Sequence, residues 1–118
     1  MRTAAAAALG ALAVAAGAFG AHLLAGHVPA DRVEVWQTAA RYHLVHAVVL
    51  LVLADRPGRW AYRLVAAGTV VFAGSLYALV LLDLPVLGAV TPVGGALLIA
   101  GWTTLAVTAL RAPAGSPA

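Results

Sequence analysis

The sequence predicts an all-α, integral membrane four-helix bundle with both termini on the cytoplasmic side (N-in/C-in). Three observations carry this reading. The 118 residues are 64% hydrophobic and only 9% charged, too little charge for the surface of a soluble domain of this length. Four apolar segments, roughly 3–26, 36–54, 61–82 and 91–110, each approach the ~20 residues that cross a bilayer. The arginines divide unequally between the two sides of such a topology. Residues 1–118 read as a single four-helix transmembrane domain without internal repeats. Soluble enzyme and nucleic-acid binder are poor fits, because the arginines are scattered and no lysine is present. The absence of cysteine excludes disulfides, thiolate metal sites and thiol redox chemistry.

The first segment, "MRTAAAAALGALAVAAGAFGA", has a basic start and small residues, so a cleaved secretion signal is the rival reading. Gly10, Gly17 and Gly20 suit close helix packing, and we read a retained helix. "GHVPADR" separates it from the second, and Pro29 predicts a helix start near Ala30, ahead of the apolar core. "DRPGR" precedes the third. "DLPVLGAVTP" precedes the fourth, with Thr91 expected as N-cap and Pro92 at the first helical position. "RAPAGSPA" reads as a frayed end.

Orientation follows from the arginines. Arg2, Arg56, Arg59, Arg63 and Arg111 share one side, and Arg32 lies on the other, with Arg41 near it. The positive-inside rule makes the first side cytoplasmic. Trp60 and Tyr62 then fall in the cytoplasmic aromatic belt, and Trp36 in the outer one. The expected location is the plasma (inner) membrane.

This orientation brings polar residues from all four helices to the outer half. His22, then Tyr42, His43 and His46, then Ser75 and Tyr77, then Thr91 with Gly94 and Gly95, should lie within about 5–15 Å of the outer boundary at 1.5 Å per residue. At 100° per residue, Tyr42, His43 and His46 share a face with Ala39, Leu50 and Leu53. Ionisable groups in membrane helices usually face the interior, so Tyr42 and His46 are expected against the first and third helices. Glu34, Gln37 and Arg41 form a second, solvated face, with Glu34 matching Arg41. Gly94, Gly101 and Thr108 recur at seven-residue spacing and mark a close-packing seam. Gly10 and Gly17 repeat that spacing on the first helix, from which His22 projects away.

"GAFGAH" (17–22), "WQTAARYHLVH" (36–46), "GTVVFAGSLYAL" (68–79) and "TPVGGALLIAGW" (91–102) resemble the domain-of-unknown-function family of YgdD-like small inner-membrane proteins, which has mitochondrial transmembrane relatives. The resemblance spans nearly the whole chain in order and spacing. It implies a four-helix membrane protein and no particular reaction. The family pattern carries onto His22, Trp36, Thr38, Tyr42, His46, Gly74, Ser75, Tyr77, Thr91, Pro92, Gly94, Gly95, Gly101 and Trp102, while position 43 can be glutamine in relatives.

Three readings of the outer cluster stay open. His22, Tyr42, His43, His46, Ser75 and Tyr77 could form a ligand or substrate pocket. They could instead be interhelical glue, His46 to Tyr42 and His22 to Ser75 or Tyr77, at ~0.6 kcal/mol each. His22 and His46 could hold a haem or divalent metal, although no buried carboxylate is placed as a third metal ligand. "GSLY" is not a nucleophile elbow, and no catalytic set can be assembled, so no enzyme is expected. A small binding or transport module and a structural or accessory protein remain as functions. The accessory reading implies a homo-oligomer or a larger membrane complex. The glycine seams would be its contact faces.

Overall fold

The computed structural model describes residues 1–113 and 115. The frayed end expected for 111–118 therefore falls partly outside the described residues. Four long helices follow the four apolar segments: α1 (Arg2–Phe19), α2 (Ala30–Leu53), α3 (Trp60–Leu82) and α4 (Thr91–Arg111). Helices suit an apolar solvent, because every backbone hydrogen bond is satisfied within the segment. A π-helical turn, Gly20–Leu24, extends α1, and a 3-10 turn, Pro85–Ala89, precedes α4. With these turns, Arg2–Leu24, Trp60–Leu82 and Pro85–Arg111 are long and apolar enough to cross a membrane. α2 has the length, but Gln37, Arg41, Tyr42, His43 and His46 dilute its apolar character.

The breaks have local causes. Gly26 takes φ +86 in the first turn, and Pro29 is extended ahead of Ala30, its carbonyl accepting the first α2 amides. Asp83 ends α3 in the left-handed region, with φ 51. Thr91 does not cap α4. The helix begins at Thr91 itself, and its hydroxyl turns instead to Ser75 of α3, at 2.6 Å.

Neighbouring helices are antiparallel. On the α3–α4 seam, Gly68 lies on Leu98, Gly94 on Phe72, and Gly101 on Val65. A Cβ at Gly94 would collide with the Phe72 backbone. The seven-residue glycine spacing on α4 thus corresponds to a true close approach. Gly95 sits only at the edge of this seam. On α1, Gly10 faces Ala47, but Gly17 has open space where a Cβ would stand, and so has Gly74 on α3. Those two glycines do not serve packing within the chain.

All four helices meet at one level, through Ala6, Leu50, Leu53, Val65 and Leu98. Near the other end Leu24, Trp36, Leu79 and Val80 form a second cluster. α2 packs against α1 and α3, and α3 against α4, whereas α1 and α3 make no close backbone approach. The bundle is therefore open along one side. Leu12, Val14, Val48, Val70, Ile99 and Val107 point outward. So large an apolar exterior is costly in water and suits lipid.

Candidate functional site

The polar residues expected in one cluster are distributed over three separate contacts. The first is His43, buried at 6% exposure, whose Nδ1 lies 2.9 Å from the Tyr77 hydroxyl. This bond joins α2 to α3. The Leu9 backbone of α1 is near the ring, but no partner completes a hydrogen bond at His43 Nε2. The second is His46, also buried. Its Nδ1–H donates to the Tyr42 carbonyl at 2.7 Å, and its Nε2 accepts the Trp102 indole N–H at 3.1 Å. A carbonyl only accepts and an indole only donates, so this pattern fixes a neutral imidazole with its proton on Nδ1. The third is Ser75, whose Oγ pairs with Thr91 Oγ1 and with the Phe72 carbonyl at 2.9 Å.

Several expectations are corrected by this geometry. His22 is exposed and meets none of the other cluster residues. It sits in the π-helical turn, where five residues close each ring, so a phase counted at 100° per residue no longer holds. Trp36 occupies the space that His22 was expected to share. It is buried rather than part of an outer belt, lies against Gly20, and donates to the Ala16 carbonyl at 2.7 Å. Gly20 is thus a seat for an indole. Tyr42 is 47% exposed and leans on Phe72, and its backbone, not its hydroxyl, meets His46. His46 turns to α4 rather than to α1 and α3. Glu34 and Arg41 are both exposed, and among the described residues they form no ion pair. The ion pair found among the described residues joins Arg32 to Asp83 at 3.3 Å.

The haem or metal reading for His22 and His46 loses its geometry. The two residues share no partner or cavity, and both His46 nitrogens are engaged within the protein. Among the described residues no group of three or more metal-ligating side chains comes together.

A groove takes the place of the expected outward pocket. It has a volume of about 590 Å³ and lies where α1 and α3 part. Leu9, Leu12 and Phe19 form one wall, and Val70, Gly74 and Leu81 the other. His43, Thr69 and Tyr77 supply polar atoms, and among the described residues no charged residue lines it. Thr69 is already bonded to the Val65 carbonyl at 2.7 Å, and Tyr77 to His43. Among the described residues, His43 Nε2 is the buried polar side-chain atom without a hydrogen bond of good geometry, although the Leu9 backbone lies beside the ring. Sequence reasoning missed Trp36, Thr69 and Trp102 as members of these contacts. A glycine opposite an aromatic, as at Gly20, was the available signal for Trp36.

Residues 16–95 match the family described as "Protein of unknown function (DUF423)". The chain belongs to the DUF423 family. Within it, the UPF0382 membrane protein SAB0533 of Staphylococcus aureus (strain bovine RF122 / ET3-1) is 42% identical over 106 residues, covering 85% of this chain and 87% of that relative. The UPF0382 membrane protein YwdK of Bacillus subtilis (strain 168) is 43% identical over 108 residues, covering 85% and 88%. The UPF0382 membrane protein SH2409 of Staphylococcus haemolyticus (strain JCSC1435) is 40% identical over 106 residues, covering 85% and 87%. No solved structure matches the chain. This DUF423 member is thus a membrane protein by kinship as well as by its helices, and the family match spans His43, His46, Ser75 and Tyr77.

Proposed function

We propose that this DUF423 protein is a non-enzymatic binding module of the plasma (inner) membrane, with four spans and both termini cytoplasmic. Its α1–α3 groove holds an uncharged, largely apolar molecule that bears a hydroxyl or carbonyl oxygen. The observation that carries this reading is the apolar groove itself, whose lining includes the His43–Tyr77 pair as its polar feature. A ligand oxygen bonded to the Tyr77 hydroxyl or the His43 ring would avoid the ~1–3 kcal/mol cost of burying it unpaired. The absence of charge in the lining selects against ions and zwitterions. The groove opens sideways, so a ligand enters from the bilayer. The orientation rests on Arg2, Arg56, Arg59, Arg63 and Arg111.

A second reading has its own support. Ala15, Ala16, Ala73 and Gly74 line the same groove, and small residues admit a neighbouring helix. The protein would then be an accessory subunit, receiving a helix from a second copy or a larger complex.

Native mass spectrometry of protein released from membranes in mild detergent tests the ligand reading. Wild type should retain a lipid-sized uncharged adduct. Gly74→Phe fills the groove at a position with open space, so it should fold and lose the adduct. Equal retention by Gly74→Phe would contradict the ligand reading.

A further inference from the structure

A second cavity, about 390 Å³, lies at the end of the bundle that holds the α2–α3 loop and the C-terminal turn of α4. Its character is opposite to that of the groove. Arg56, Arg59 and Trp60 form one side, Thr108 faces them, and Leu53 and Leu105 continue the wall toward the apolar body of the bundle. The Arg59 guanidinium lies 5.7 Å from the centre of the Trp60 ring, which holds it at the rim. Among the described residues no carboxylate lines the cavity. Asp55, the acid of this loop, makes no ion pair among the described residues.

The backbone adds to this field. α3 begins at Trp60 with no side-chain cap and no acid in its first turn. Trp60 and Ala61, which line the cavity, thus bring unsatisfied amides and the positive end of the helix dipole. The C-terminal turn of α4 carries the opposite partial charge, and Arg111 in that turn offsets it.

We propose that this cavity binds a phosphate group on an apolar tail, the headgroup of an anionic phospholipid. Arg56 and Arg59 supply the charge. The first α3 amides and the Thr108 hydroxyl supply directed donors. Leu53 and Leu105 receive the first methylenes of the tail. Basic pockets between membrane helices are suited to this chemistry. The proposal is independent of the α1–α3 groove, which is uncharged and shares no lining residue with it.

The test is thermal unfolding of the purified full chain in neutral detergent, with phosphatidylglycerol, phosphatidylcholine or inorganic phosphate added. Phosphatidylglycerol should raise the melting temperature of wild type, and phosphatidylcholine should not. With roughly fivefold in binding constant for each arginine near the surface, Arg56→Gln/Arg59→Gln should need about 30-fold more phosphatidylglycerol for the same shift. Arg41→Gln, an exposed arginine of α2 outside the cavity lining, should respond as wild type. An unchanged response in the double variant, or an equal loss in Arg41→Gln, would overturn the site in favour of bulk charge. A shift with inorganic phosphate as large as with the lipid would overturn the lipid as its source.

Discussion

The Trp102 indole donates a hydrogen bond to His46 Nε2 at 3.1 Å, and this bond joins α2 to α4, whose backbones make no close approach. A side-chain bridge therefore closes a gap that helix packing leaves open. His46→Phe and Trp102→Phe should each destabilise the protein. Their double-mutant cycle should give a coupling of about 0.6 kcal/mol, with about 1.7 kcal/mol as the upper range for such bonds. Reversible unfolding in mixed micelles measures it. Zero coupling would mean that the bond does not form in a membrane-like medium.

The glycines should separate into two classes. At Gly94 an added Cβ would strike the Phe72 backbone, which cannot swing aside as a side-chain tip can. Gly94→Ala should cost about 1–3 kcal/mol by forcing α3 and α4 apart. At Gly74 the same atom meets open space, and Gly74→Ala should be neutral or stabilise by about 0.5–1 kcal/mol through helix propensity. The same unfolding assay ranks them, and equal effects would contradict the seam.

Much of the fold was legible in the sequence, and the reasons are physical. A span needs some twenty apolar residues, and a turn needs Gly or Pro, so the four helices and the Pro29 start were readable. The seven-residue spacing marked a true seam at Gly94 and Gly101, but the same spacing at Gly10 and Gly17 did not, because Gly17 has no neighbour within reach. The polar contacts were less legible, because helical phase assumes a regular helix. The π-helical turn at Gly20–Leu24 rotates His22 away, and no sequence rule announced it. Tyr42, His43 and His46 share one stripe by phase, yet the stripe meets three surroundings. His43 faces Tyr77, His46 faces Trp102, and Tyr42 remains half outside. Phase gives direction from one axis and cannot say which helix stands there.

Asp83 separates conformational cost from charge. It has φ 51 and a side chain 85% exposed, paired with Arg32. Asp83→Asn should cost less than about 0.5 kcal/mol, since exposed pairs contribute little. Asp83→Val should cost about 1–2 kcal/mol, because a β-branched residue resists the left-handed region. Asp83→Gly should be tolerated. A large loss in the asparagine variant would show that the ion pair, rather than the backbone, holds this turn.

Topology can be read cleanly because the chain contains no cysteine. A single Pro57→Cys, in the exposed α2–α3 loop, should react with a membrane-impermeant thiol reagent only after the cytoplasmic face is opened. A single Val86→Cys, in the exposed turn before α4, should react from outside in intact cells. The reverse pattern would invert the orientation.

The central claim is that the α1–α3 groove over His43 holds a small uncharged ligand. A photoreactive amino acid at position 74 tests it most directly, because that position faces the groove with open space around it. A matching probe at Ile99, which points outward on α4, reports ordinary lipid contact. After irradiation in intact cells, mass spectrometry should find one dominant small-molecule adduct at position 74. The Ile99 probe should give a mixture that follows bulk lipid composition. A protein-sized adduct at position 74, or the same lipid mixture at both positions, would contradict the claim.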